Sequence, residues 1–177
     1  MGHVVIEIKA RSHDNDRIRN LLKSRNADFR GIDHQIDTYF KTNNGRLKLR
    51  EGQLENFLVY YERKNEKGPK QSKVTLVKYD SMQPIKDVLA KAFGVLVIVD
   101  KHREIYFIDN VKFHLDEVKD LGTFVEIECI DTAGIVGMER LLVQCNHYRR
   151  LFDIRDEDLI ELSYNDLLLP SDMIQLS

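Results

Sequence analysis

Gly45-Arg46-Leu47-Lys48-Leu49-Arg50-Glu51 places three cations at alternate positions, with two leucines between them. Successive side chains of a β-strand point to opposite faces, so Arg46, Lys48 and Arg50 share one face and Leu47 and Leu49 the other. Taken alone, this fits a strand washed by solvent. The alternation returns along the chain, however, with carboxylates as well as cations. Glu7, Lys9 and Arg11 oppose Val4, Ile6 and Ile8. Lys101 and Arg103 share a face. Lys112, His114 and Asp116 oppose Val111, Phe113 and Leu115, and Glu126 and Glu128 oppose Val125, Ile127 and Cys129. Tyr61 and Arg63 also share a face, although Glu62 and Lys64 make that strand's parity less clean.

The pattern predicts strands over about 3–10, 33–41, 45–51, 56–64, 72–79, 95–108, 111–118 and 123–131. Ile18, Leu21 and Leu22 recur at helical spacing between Asp14 and about Asn26, with Asp14 and Asp16 suited to the helix start. Pro84 opens a second short helix that Gly94 ends. Asp109-Asn110 reads as a two-residue turn. The stretch from about 133 to 168 reads as mostly helical, with Met138, Leu141, Leu142 and Cys145 on one apolar stripe. Strands in series with several amphipathic helices define an α+β class and a single domain over residues 1–177.

Bulk composition limits the function classes. The chain has 177 residues, is 42% hydrophobic and 32% charged, and carries a formal net charge of -2. There is no global excess of positive charge to suggest nucleic acid, and no apolar run long enough for a membrane span. The start lacks the basic and apolar regions of a signal peptide, so a cytoplasmic location is expected. Cys129 and Cys145, with no metal-ligand spacing, read as buried free thiols.

Two architectures produce charge on one side of so many strands. One is an open sheet with one face on helices and the other in water. The other is a closed barrel with its charges inside, which about eight strands suffice to form. Periodicity leaves both open. If the barrel closes, its buried charges need partners. Lys9, Arg46, Lys48, Arg50, Lys101 and Arg103 outnumber the carboxylates Glu7, Asp116, Glu126 and Glu128. The surplus suits a polyanion, and the carboxylates suit Mg²⁺ or Mn²⁺. A polyphosphate bridged by metal to carboxylates satisfies both sets.

Val5-Ile6-Glu7-Ile8-Lys9, Arg46 to Glu51, Lys101-His102-Arg103, His114 to Val118 and Leu121 to Glu128 together resemble the CYTH superfamily, the triphosphate tunnel metalloenzymes. Asp37-Thr38-Tyr39-Phe40, followed by Gly45 to Glu51, is most similar to the class IV adenylyl cyclase branch. Thiamine triphosphatases and other triphosphatases are further relatives. The resemblance implies an eight-stranded antiparallel closed barrel with helices packed outside. It implies that Lys9, Arg46, Lys48, Arg50, Arg63, Lys101 and Arg103 hold phosphate oxygens of a nucleotide or other triphosphate. It also implies that Glu7, Asp116, Glu126 and Glu128 serve the metal, and that Asp116, Lys101 and Arg103 act in catalysis. Homodimers are frequent among such relatives.

One departure stands out. The family signature Glu-x-Glu-x-Lys has Val5 at its first position, leaving Glu7 and Lys9. Gln71 also stands where relatives often carry a basic residue. His114, Tyr39, Tyr60 and Tyr61 read as wall and packing residues, Lys64 to Lys73 as a solvated loop, and Glu157, Asp158, Glu161 and Asp166 as a solvated helix face.

Overall fold

The computed structural model describes residues 2–80 and 84–170. Its strands are β1 (Gly2–Arg11), β2 (Asp28–Phe40), β3 (Arg46–Glu51), β4 (Phe57–Arg63), β5 (Lys70–Lys78), β6 (Val95–Ile108), β7 (Val111–Val118) and β8 (Gly122–Asp131). The helices are α1 (Asn15–Ser24), α2 (Ile85–Phe93), α3 (Met138–Leu151) and α4 (Tyr164–Leu168). The strands pair antiparallel in the closed order β1-β5-β4-β3-β2-β6-β7-β8, so the sheet has no free edge. Closure decides between the two architectures: the charged faces line the inside of a barrel.

The outside of β1, β7 and β8 explains the apolar half of the alternation. Ile6, Ile8, Phe113, Leu115, Val125 and Ile127 form one core with Ile18 and Leu22 of α1 and Leu141 and Cys145 of α3. Both cysteines are free and buried. Asp14 caps α1 by accepting from the Arg17 N–H, which satisfies one of the helix's unpaired first-turn donors. Gly94, at φ 77°, ends α2 as expected. The β6–β7 hairpin closes through Asp109 and Asn110, with Asp109 at φ 50°, a conformation that Asp tolerates better than most residues.

Three expectations need correction. β2 begins at Asp28, because pairing with the long β6 extends it through Asp28↔Phe107, a contribution that no local alternation announces. The segment Lys64–Lys73 is loop only in its first part: β5 starts at Lys70, and Lys70 is buried. The tail is less helical than its pattern suggests. The Asp131 carboxylate accepts from the N–H groups of Ile135, Val136 and Gly137, holding a loop ahead of α3. After α3 the chain extends, Leu159 bridges Ala10, and the Ile160 N–H donates to the Lys9 carbonyl. This course sets α4 against one end of the barrel. It also buries Asp158 and Asp166, which the helical pattern had placed in solvent.

Leu49 is fully buried on the outer face of β3, whereas Leu47 is half-buried. Leu49→Ala is expected to lower unfolding stability by about 2–5 kcal/mol, and Leu47→Ala by less. Urea titration of both variants measures this; an equal, small loss would mean that the outer face of β3 is not packed.

Candidate functional site

The barrel encloses a cavity of about 930 Å³, counting its open ends. Inward positions of all eight strands reach it, and their charges fall into linked groups. Asp37 of β2 is the centre of the first. It accepts from Lys48 Nζ at 2.8 Å, Lys101 Nζ at 2.7 Å, and Arg50 Nε and Nη2 at 2.9 and 3.1 Å. Arg50 continues to Glu55 at 2.8 Å, and Glu55 accepts from Lys112 at 2.5 Å. The second group centres on Arg103, which donates to both oxygens of Asp116, at 2.7 and 2.5 Å, and to Glu126 at 2.7 Å. Lys9 pairs with the other oxygen of Glu126 at 2.8 Å, and Tyr164 of α4 donates to Asp116 at 2.7 Å. A third pair joins Arg63 to Glu7.

Most of the charged residues singled out in the sequence therefore converge. Lys9, Lys48, Arg50, Arg63, Lys101, Arg103, Glu7, Glu126 and Glu128 line the cavity, as do Tyr39, Tyr61 and His114. Asp116 is wholly buried behind Arg103. Arg46 departs from its strand companions: it donates to Asp166 of α4 and to Asn65, both at 3.0 Å, and lies outside the cavity lining. Arg11 is exposed at the rim, bonded to the Leu121 carbonyl, and is not part of the interior face. Tyr60 points outward to Glu62, which resolves the parity of β4 in favour of Tyr61 and Arg63 as the inward pair.

Sequence reasoning missed several contributors. Glu55 stands in the β3–β4 turn, where no periodicity applies; it is placed by Asp33, which accepts from the N–H groups of Gln53, Leu54 and Glu55. Lys70 and Ser72 share the inner face of β5 with Val74 and Leu76, a mixed set with no polar–apolar contrast to read. Lys70 Nζ donates to the carbonyls of Ile160 and Glu161, at 2.8 and 3.2 Å, tying the tail to the barrel end. Tyr164, with its ring 3.5 Å from Lys9 Nζ, lies in the tail and carried no signal.

Burial and pairing set the proton states. Burial opposes ionisation of Asp37, yet Arg50, Lys101 and Lys48 outweigh it and hold the carboxyl well below its ordinary range. Burial likewise opposes ionisation of Glu126, and Lys9 and Arg103 overcome it. For Lys101, burial dominates: it pushes the ammonium down to about 7, against the pull of Asp37 and with help from Arg50 and Arg103. This lysine therefore sheds its proton near neutral pH when no other anion is present. Its folded pKa lies below the ordinary value of about 10.4, so across that window the unfolded chain holds a proton that the folded chain lacks, and stability from this group rises with pH. Anion binding runs the opposite way. Affinity for tripolyphosphate is expected to fall about 10-fold or more from pH 6 to pH 9, the worth of one charge-assisted hydrogen bond. Lys101→Met should bind weakly at both pH values. Calorimetric titration reads this, and a wild-type fall that Lys101→Met reproduces in full would assign the effect to another group.

One wall of the cavity groups donors suited to a divalent ion. His114, Glu126 and Glu128 each offer an atom within 4.8 Å of the others, a loose grouping that closes on one ion only if the side chains draw in. Val5 lines the same wall without a donor, and Glu7 is paired with Arg63. Asp116 faces Arg103 and Tyr164. The cluster thus draws on two of the four carboxylates expected from the sequence, together with a histidine.

A closed antiparallel tunnel of eight strands, ionic within and helix-covered without, defines the class of protein: the triphosphate tunnel fold. Comparison with known proteins agrees. Residues 3–134 match the CYTH domain model, and the chain belongs to that family. Members bind triphosphate substrates and are generally metal-dependent. A Methanocaldococcus jannaschii protein with the provisional name adenylate cyclase is 25% identical, covering 93% of this chain and 98% of its own. The PH1012 protein of Pyrococcus horikoshii OT3 is 26% identical, with a TM-score of 0.74 over 93% of this chain and 99% of that one. A Hippeastrum protein, provisionally an adenylyl cyclase and described as having a dominant triphosphatase activity, shares the fold at 15% identity. Its TM-score is 0.59, over 91% of each chain. No helix among the described residues is long and apolar enough to cross a membrane.

Proposed function

We propose that the tunnel binds the triphosphate of a nucleotide and, with a divalent ion, converts ATP to cyclic AMP and pyrophosphate. The observation that carries this reading is the convergence of Lys9, Lys48, Arg50, Arg63, Lys101 and Arg103 on one cavity. Phosphate oxygens can take over the donors that Asp37, Glu7 and Glu126 now accept. The arginines offer forks and the lysines point charges. The ribose 3′-hydroxyl gives its proton to solvent water and attacks the α-phosphorus. The bond from that phosphorus to its bridging oxygen breaks, and pyrophosphate leaves with the electron pair. Arg103 and Lys101 neutralise charge growing on the phosphates, and Asp116 holds the Arg103 guanidinium in place. A divalent ion bound by the wall carboxylates would polarise the phosphoryl oxygens and screen the same charge.

A second reading uses the same cradle: water attacks the terminal phosphorus of a nucleoside, thiamine or inorganic triphosphate. The triphosphatase activity described for the Hippeastrum neighbour supports it. Val5 and the commitment of Glu7 to Arg63 support a third, a triphosphate-binding protein with weak turnover. Incubating the pure protein with ATP, thiamine triphosphate or tripolyphosphate, with Mg²⁺ or Mn²⁺, separates them. Cyclic AMP with pyrophosphate is the expected result. Orthophosphate without cyclic AMP selects hydrolysis, and thermal stabilisation without turnover selects binding. A protein that neither binds nor converts any of the three would defeat the tunnel reading itself.

A further inference from the structure

The two ends of the tunnel differ. Where β1 and β4 finish and β5 and β8 begin, the tail closes the barrel. Ser163 and Tyr164 line the cavity there and are 3% and 4% exposed. The Tyr164 ring lies 3.5 Å from Lys9 Nζ, and its hydroxyl donates to Asp116 at 2.7 Å. Three ties hold this seal in place. Arg46 donates to Asp166 at 3.0 Å, Lys70 Nζ donates to the Ile160 carbonyl at 2.8 Å, and the Ile160 N–H donates to the Lys9 carbonyl at 2.9 Å. The cavity cations beside the seal are correspondingly dry: Lys9 is 5% exposed and Arg103 2%.

Toward the opposite end one wall is apolar and wetter. Val5 pairs with Ile130 across β1 and β8, and Val59 with Leu76 across β4 and β5. Phe57 and Val74 complete the strip, and four of the six are half-buried rather than buried. The side chain of neighbouring Glu128 is 24% exposed. Such a wall takes ring and hydrocarbon surface out of water. A phosphate chain that enters here advances toward the dry cations and stops at Tyr164. There its last phosphate meets Lys9 and Arg103, and the ring leaves no room for a substituent beyond it. We propose that the tunnel is blind and takes its ligand in one direction, with a free terminal phosphate under Tyr164 and the organic group at the apolar mouth. The substrate class is then a triphosphate esterified at one end only, and compounds esterified at both ends are refused. Tyr164 is the specificity-determining residue, and it lies beyond the residues 3–134 that match the family model. This inference rests on the triphosphate reading and holds for either reaction.

Calorimetric titration of the full chain, with chelator present to prevent turnover, tests the direction. The ligands are tripolyphosphate, ATP, ATP with an uncharged naphthyl tag on its adenine, and two ATP esters of equal charge. One ester carries a methyl group on the terminal phosphate, the other the naphthyl tag. Wild type should bind adenine-tagged ATP as tightly as ATP. It should bind the terminal naphthyl ester at least ~10-fold more weakly than the terminal methyl ester, because only bulk separates the two. Tyr164→Ala vacates the ring's space and should narrow the gap between ATP and its terminal methyl ester. A purely structural loss would weaken both ligands alike. If Tyr164→Ala does not fold, as judged by circular dichroism, the wild-type comparison of the two esters decides. Equal binding of the two esters, rejection of the adenine tag, or an unchanged gap in folded Tyr164→Ala each overturns the proposal while tripolyphosphate binding leaves the triphosphate reading standing. Failure of wild type to bind tripolyphosphate or ATP overturns both.

Discussion

Asp37→Asn is expected to lower the melting temperature of the ligand-free protein by roughly 6–20 °C. Asp37 is 1% exposed and neutralises Lys48, Arg50 and Lys101 at once. Removing it leaves the buried Arg50 and Lys48 side chains, and Lys101 where it is protonated, without their common carboxylate. Stripping one partner from a buried ion pair costs about 3–5 kcal/mol. A domain of this size loses about 2–4 °C per kcal/mol. The asparagine retains the shape and some hydrogen bonding, so the loss is electrostatic in origin. A second effect of opposite sign follows. In the wild type a polyphosphate must displace the Asp37 carboxylate from these cations; in the variant that charge is already gone, although Arg50 keeps Glu55. Tripolyphosphate should therefore stabilise Asp37→Asn more than wild type and restore most of the lost melting temperature. Scanning fluorimetry with and without tripolyphosphate measures both effects. A destabilised variant that tripolyphosphate fails to rescue would show that Asp37 does not occupy a phosphate position.

Arg103→Ala is expected to be as destabilising and, in addition, to abolish turnover. Arg103 closes both oxygens of Asp116 and one of Glu126, and all three residues are buried. Glu126 keeps Lys9, but Asp116 keeps only the Tyr164 hydroxyl among its described donors. The cost is again about 3–5 kcal/mol near neutral pH. The pH dependence identifies its source. In the wild type, burial opposes ionisation of Asp116 and Arg103 overcomes it, holding the carboxyl below its ordinary value. A carboxyl with a lowered folded pKa contributes stability that is present above its unfolded pKa and is lost as pH falls through the folded one. In the variant burial is left largely unopposed, so the gap between the two proteins should narrow as pH falls from above the ordinary Asp value of about 4, where the uncovered carboxyl takes up a proton, through the wild type's lowered one. Urea denaturation at pH 7 and at low pH reads the gap. A gap that stays constant with pH would point to lost packing rather than to an uncovered carboxylate.

These two residues also show how much of the site could be read in advance. Arg103 was legible because it alternates with Lys101 on one strand and lies in a run similar to a family signature. Asp37 belonged to the stretch that resembled the cyclase branch, but its role as the common partner of three cations was not, because those cations come from β3 and β6. His114 alternates with Lys112 and Asp116 like any wall residue. Its place between Glu126 and Glu128 depends on the β7–β8 register, in which His114 stands opposite Glu126. Arg46 shares a strand face with Lys48 and Arg50, yet its partner Asp166 lies on a helix 120 positions away, which the alternation could not show.

Alternation alone determined which side of each strand is charged, because the two-residue period of the pleat holds whatever the strand's neighbours are. The run from Arg46 to Arg50, repeated in its companions and similar in order to one family, carried the α+β class and the ionic interior. Tertiary structure decided what that pattern could not. Closure turned charged faces inward, strand register chose which cation meets which carboxylate, and the extended tail carried Tyr164 and Asp166 onto the barrel end. Each of these depends on contacts between residues far apart in the chain, and local periodicity holds no information about them.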